Sequence, residues 1–147
     1  MELDKTDIAI INLLTSDARL SLRKIAKKAG VSTATVMNRL RVLDKNGAIR
    51  KYSAIIDYPK IDFEFEAIVE LKVSKGKLFQ VEKKIASHPN VSAVYDVTGP
   101  SDVIVVARFR NRRGLDGFVK KIQTYDFVER TETKIILNTI KEEQLKL

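Results

Sequence analysis

Asn38 and Arg41 stand three residues apart in a stretch whose apolar residues, Val36, Leu40 and Leu43, recur at helical spacing. At about 100° per residue those three share one side of a helix. Ala34, Asn38, Arg41 and Lys45 then project from the other, with Thr35 and Arg39 on its flanks. A carboxamide pairs with adenine and a guanidinium with guanine through two hydrogen bonds each, so Asn38 and Arg41 have the chemistry to read bases. Thr33, Ala34 and Thr35, near the helix start, could reach bases or phosphates.

Such readers need a scaffold, and the residues before them supply one. Asp4, followed three residues later by Asp7, suits the start of a first helix with an apolar stripe of Ile8, Ile11 and Leu14, Ile10 beside them. Ser21 caps a second, with Leu22, Ile25, Ala26 and Ala29 as its expected buried face, and Gly30 ends it because glycine enters the left-handed conformation at low cost. Ser32 caps the third, and Gly47 stops it. Two short helices joined by Ala29-Gly30-Val31-Ser32 match a helix-turn-helix, whose first helix crosses the phosphate backbone and whose second enters the major groove.

Charge is distributed accordingly. The chain of 147 residues has a formal charge of +8, yet Arg19 to Lys51 holds ten basic residues against the single acid Asp44. That segment is therefore +9 and the remainder nearly neutral. Arg23, Lys24, Lys27 and Lys28 on the second helix, with Ser21, Ser32, Arg39, Lys45, Arg50 and Lys51, form the expected phosphate contacts. Each lysine taken singly is equally a solvated helix face; clustered around this spacing, they indicate nucleic acid.

Ala48 to Asp57 reads as a strand leaving the helical unit and closed by Pro59, which puts a domain boundary near residue 60: a DNA-binding domain at 1–60 and a second domain at 61–147. Phe65 to Val73 alternates as a half-buried strand, and Leu78, Val81 and Ile85 have helical spacing. Val91 to Thr98 and Val103 to Phe109 flank a turn at Gly99-Pro100-Ser101-Asp102. Leu115, Phe118, Val119 and Ile122 mark another helix, Val128 to Asn138 a last strand, and Ile140 to Leu147 a charged tail, either a short helix or frayed. The order βαββαβ is ferredoxin-like, so the chain is expected to be α/β in the α+β sense: a winged-type helix-turn-helix followed by that fold.

These motifs together resemble the Lrp/AsnC (feast/famine) transcriptional regulators over essentially the full length. The resemblance is carried by Leu3-Asp4-x-x-Asp7, Asp17-Ala18-Arg19-Leu20-Ser21, Ile25-Ala26, Gly30-Val31-Ser32, Val36-x-x-Arg39-Leu40-x-x-Leu43, Gly47-Ala48-Ile49 and Tyr52, then by Thr98-Gly99-x-x-Asp102. It implies a linking strand and a C-terminal sensor fold that dimerises through its sheet and assembles further, into octamers or similar rings. It also implies a small effector, commonly an amino acid, bound near Thr98 to Asp102, where Gly99 would admit a ligand to the backbone and Asp102 would accept from an ammonium group, with Thr131 and Thr133 as weaker additions. Turn chemistry alone accounts for Gly99-Pro100-Ser101-Asp102 equally well, so both readings stand.

Other functions have less behind them. There is no cysteine, which removes disulfides, thiolate metal sites and cysteine nucleophiles, and suits a cytoplasmic location. No P-loop, dinucleotide fingerprint or Cys/His cluster occurs. Arg108, Arg110, Arg112 and Arg113 could be assembled into an anion cradle, but their place at a strand end fits a solvated edge or subunit contact better. His88, at a helix end before Pro89, reads as a terminal cap rather than a base. The expectation is a non-enzymatic, sequence-specific DNA-binding regulator without cofactor, metal or membrane, with double-stranded DNA, a small effector and copies of itself as partners. The alternatives are a less selective DNA-organising protein and an amino-acid-sensing module acting on a protein.

Overall fold

The computed structural model describes residues 2–74 and 76–147. Its contacts divide the chain into two compact units, one up to Ile56 together with Lys141–Leu147, the other Asp57–Ile140. The first begins with helix α1, Lys5–Ser16, which Asp4 caps through a reciprocal box. Asp4 Oδ1 accepts the amides of Thr6 and Asp7, and the Asp7 carboxylate accepts the amide of Asp4. Helix α2, Leu22–Ala29, starts at Ser21 and helix α3, Thr33–Lys45, at Ser32, whose hydroxyls accept the amides of Lys24 and Thr35. A cap of this kind contributes about 1 kcal/mol.

Glycine ends both helices. Gly30, at φ +69°, lets the Val31 amide reach back to Ala26 O, and Gly47, at φ +71°, lets the Ala48 amide reach Leu43 O. Ile10, Ile25, Ala26 and Val36 are buried together, with Leu13, Leu14, Leu20, Ala29, Val31 and Leu40 partly buried around them. Leu22, expected on the buried face, is 37% exposed, because it is the first residue of α2 and lies at the end of the packed stripe.

The expected strand from Ala48 to Asp57 does not form. This segment has no ladder partner within the chain and stays irregular, with Tyr52, Ile55 and Ile56 exposed. A strand needs a neighbour for its amides and carbonyls, and alternation cannot supply one. Pro59 starts a 3-10 turn, Pro59–Ile61, rather than closing a strand. The division by contacts falls after Ile56, and the tail groups with the first unit. It carries no helix; the Leu147 amide donates to Asn12 Oδ1 and its carbonyl accepts from Asn12 Nδ2, each at 2.9 Å.

The second unit runs β1 Phe65–Val73, α4 Leu78–Ala86, β2 Val91–Asp96, β3 Val103–Phe109, α5 Arg112–Gln123 and β4 Val128–Ile135. The last strand is shorter than its sequence pattern suggested, ending where Ile136 makes a final amide bond to Glu66 O. The sheet order is β2-β3-β1-β4 with every pair antiparallel, the ferredoxin-like arrangement. Alternate residues of β1 and β3, among them Val69, Leu71, Val103 and Val105, pack with Val81, Ile85, Leu115, Phe118 and Ile122 of the two helices. Register places Glu66, Ile68, Glu70 and Lys72 on the opposite face, beside Arg108, Val106 and Ile104 of β3.

Candidate nucleic-acid interface and effector groove

Burial of Val36 and Leu43 fixes which way α3 faces. Thr33, Ala34, Asn38, Arg41 and Lys45 are exposed, the last four on one face as the periodicity required. Thr35 is half-buried; its hydroxyl pairs with that of Ser32 at 2.8 Å, so it supports the helix start. Met37 and Val42, which the sequence reading passed over, are 41% and 49% exposed. Met37 lies one turn from Ala34 and Arg41, and that helical spacing was already visible in the sequence.

On α2, Arg23, Lys24, Lys27 and Lys28 are exposed, and so are Ser21, Ser32, Arg50 and Lys51. Among the described residues none of these six cations, nor Arg41 or Lys45, forms an ion pair. Arg39 differs. Its guanidinium lies 2.8 Å from Asp4 Oδ2 and 3.5 Å from Asp7 Oδ2, so the expected phosphate contact is engaged with α1 instead. Asp4 is held below the usual carboxylate range, first by the Asp7 amide, against a partial desolvation, and then by Arg39. Asp44, the one acid of the basic segment, accepts from Tyr52 Oη at 3.2 Å. Partial burial, and then Asp44, push the Tyr52 phenol up.

In the second unit Glu70, Asp96, Val97, Thr98, Pro100, Ser101 and Ile104 line an open groove of about 700 Å³ at the β2–β3 turn. Thr98 lines it; Gly99 is exposed at φ +119°, a conformation that suits glycine. Asp102, expected to accept from an ammonium group, is engaged within its own unit. Its Oδ1 accepts from Lys72 Nζ at 2.9 Å and its Oδ2 from the Val73 amide at 2.8 Å, where the pairing of β1 with β4 slips. The amide first and Lys72 second hold its carboxyl low. Asp102 therefore closes the end of the sheet.

Thr131 and Thr133 are also set apart. They pair with Leu71 and Val69, whose side chains face the helices, so both threonines lie on the face opposite Glu70. Thr131 Oγ1 accepts from Gln123 of α5. The groove instead contains Glu70, which accepts from Lys134 and, at 3.0 Å, from the buried Ser101 hydroxyl. Lys134, then Ser101, lower its pKa. Sequence reasoning missed Glu70, Asp96 and Ile104 because strand register, which sets Glu70 opposite Ile104 and Asp96 opposite Val103, is not written in alternation alone.

The remaining candidates are structural. Arg108 pairs with Glu66 and stacks over Tyr58 at 4.7 Å; Arg110 stacks over Phe63 at 4.6 Å. His88 packs on Phe118 at 4.8 Å and its Nδ1 accepts from the Asn90 amide. Among the described residues no cluster of metal-ligating side chains occurs, and no helix is long and apolar enough to cross a membrane.

A capped three-helix unit with an outward cationic helix, joined in one chain to a ferredoxin-like unit, defines a helix-turn-helix transcriptional regulator with a ligand-binding domain. Residues 3–44 match the AsnC-type helix-turn-helix domain and residues 66–145 the Lrp/AsnC ligand binding domain. The chain is 41% identical over 143 residues to an HTH-type transcriptional regulator of Pyrococcus furiosus, covering 97% of both. It is 36% identical to the HTH-type transcriptional regulator FL11 of Pyrococcus horikoshii, over 95% of this chain and 93% of that one. A transcriptional regulator from Neisseria meningitidis, solved in complex with L-Met, has the same fold at 23% identity and TM-score 0.90, covering 99% of this chain and 96% of that chain. The protein belongs to the Lrp/AsnC family of transcriptional regulators.

Proposed function

We propose that this regulator binds specific duplex sequences through α3 and that occupancy of the groove beside Thr98 by a small effector, an amino acid, modulates that binding. The observation that carries the first part is the outward face of α3: Asn38 and Arg41 exposed, Arg41 without an ion pair among the described residues, flanked by the exposed cations of α2. Asn38 and Arg41 pair with base edges, while Met37 and Ala34 offer apolar contact to thymine methyls. Arg23, Lys24, Lys27, Lys28, Lys45, Arg50 and Lys51 neutralise phosphates, and Thr33 and Ser32 present hydroxyls where the helix enters.

Support for the effector comes from the groove's mixture of apolar walls and polar groups, with Thr98, Ser101 and Asp96 at hand, and from the L-Met bound to the Neisseria protein of the same fold. Exposed Tyr52, Ile55 and Ile56 favour a homodimer or larger ring, which would set two recognition helices against paired half-sites. The setting is cytoplasmic, where a DNA regulator meets both ligands.

Selection of duplexes from a random pool, followed by affinity against random DNA at one stated salt concentration, tests the reading. Enrichment of a defined sequence is the expected result; equal affinity for both pools would leave a DNA-organising protein, and no duplex binding a sensor of another kind. Screening the amino acids by thermal shift tests the groove: an effector at 100 times its dissociation constant stabilises by about 2.7 kcal/mol. Sedimentation as a monomer at micromolar protein would reject the dimer.

A further inference from the structure

We infer that Arg39 is a positioning residue, which sets the rotation of α3 by tying it to the start of α1, and is not one of the phosphate contacts. The inference rests on the reading that α3 binds DNA. The two acids it joins are themselves immobilised. Asp4 uses Oδ1 for the amides of Thr6 and Asp7, leaving Oδ2 for Arg39, while Asp7 is only 6% exposed and bonded back to the Asp4 amide. Arg39 thus reaches from the middle of α3, between Asn38 and Arg41, to the reciprocal capping box at the start of α1.

The pairing with Asp4 and Asp7 weighs against the phosphate role. Swinging Arg39 out to a phosphate would leave the Asp7 carboxylate nearly buried without a cationic partner, a larger penalty than one exposed phosphate contact returns. It would also leave two unneutralised carboxylates beside the DNA-binding helix. The positioning role has leverage: a side-chain tip ~6 Å from the helix axis moves about 1 Å for each ~10° of rotation. A bidentate base contact tolerates only about half of that before its hydrogen bonds lengthen out of range.

The experiment measures affinity of the full chain for a duplex it has selected from a random pool and for random duplex, across a salt series, for the wild type and for Arg39→Ala, Arg39→Lys, Asp7→Asn, Arg39→Ala with Asp7→Asn, and Lys27→Ala. Lys27→Ala, losing a phosphate contact, should lower the log–log salt slope by about 0.9. Arg39→Ala should leave the slope unchanged while lowering affinity for the selected duplex roughly tenfold and that for random duplex little. Arg39→Lys, whose ammonium meets one acid at a time, should recover part of the loss. Asp7→Asn should weaken selected-duplex binding, although it removes a negative charge, and the double variant should be no worse than either single one.

A slope reduced by about one in Arg39→Ala overturns the proposal, as does tighter binding by Asp7→Asn, the sign expected if Arg39 were freed to meet DNA. Arg39→Lys keeps the charge and leaves the cap intact, so it decides the question if the alanine variant does not fold: a lysine still able to meet phosphate would keep both the slope and the selectivity of the wild type, and that result rejects positioning, whereas an unchanged slope with reduced selectivity supports it. A wild type that enriches no sequence rejects the DNA-reading assignment beneath the proposal, a result distinguishable from failure of the proposal alone.

Discussion

The basic face of the first unit and the sheet of the second use their cations in opposite ways. In the helix-turn-helix unit Arg23, Lys24, Lys27, Lys28, Arg41 and Lys45 stand exposed and, among the described residues, unpaired. In the ferredoxin-like unit Lys72 pairs with Asp102, Arg108 with Glu66, Arg110 with Asp62, Arg130 with Glu132 and Lys134 with Glu70. Total charge conceals this division. A cation already paired has spent its attraction inside the fold, whereas a solvated one can exchange small counterions for a polyanion. The basic face of the first unit is therefore left open to a polyanion, while the cations of the sheet are held by its own carboxylates.

The largest effect this contrast predicts is ionic. With ~6 to 10 phosphates neutralised, duplex affinity should fall about 10³- to 10⁵-fold between 50 and 200 mM salt. Filter binding or fluorescence anisotropy across that range measures it, and a flat response breaks the contrast outright. Next in size is Arg41→Ala, expected to cost about 1 to 3 kcal/mol of binding and to relax preference at one base position, while Lys27→Ala weakens all duplexes nearly alike. Identical behaviour of the two would mean that readers and phosphate contacts were wrongly sorted.

Lys72→Ala sharpens the same comparison from the other side. Its ammonium is bonded to Asp102 at 2.9 Å and lies in the second unit, so its loss should lower the melting temperature and leave the salt slope of duplex binding unchanged. A reduced slope would show that a paired sensor-unit cation also serves DNA. Acidification should act in the same direction as this substitution. The Val73 amide and Lys72 hold the Asp102 carboxyl below its ordinary value, so its contribution is present above about 3.9 and fades as pH falls through the lower folded value.

Local signals carried the sequence reading a long way. Asp4, Ser21 and Ser32 as caps, Gly30 and Gly47 as stops, and the alternation from Phe65 to Val73 each depend on residues close in the chain, and each element formed where those residues required. Readings that needed a distant partner fared differently. Ala48 to Asp57 has a strand's composition but no neighbour, Arg39 has a phosphate ligand's chemistry but two carboxylates within reach, and Asp102 was claimed by an amide freed at a slip of register. Glu70 entered the groove for a reason of the same kind. Its position opposite Ile104, and the Ser101 hydroxyl bonded to it, follow from strand pairing rather than from any local pattern.

The smallest effect concerns pH within the second unit, where two half-buried groups pull in opposite directions. Burial, and then the charge of Lys121, lower the His88 pKa. The unfolded chain therefore takes up a proton near 6.5 before the folded one does, and His88 makes the protein less stable as pH falls below that value. Protonation of Nδ1 would also remove the acceptor of the Asn90 amide. Glu82 behaves in reverse: burial and then Asp96 raise its pKa, and its Oε1 is buried without a hydrogen-bond partner. Its contribution is present below about 4.3 and is lost as pH rises through the higher folded value, leaving a partly desolvated charge at neutrality. Melting temperatures from pH 7.5 to 5.0 separate the two. His88→Gln should remove the fall on acidification below 6.5, and Glu82→Gln should raise the melting temperature at pH 7. An unchanged profile in His88→Gln would assign the pH response to carboxylates alone and remove the chain's single histidine from it.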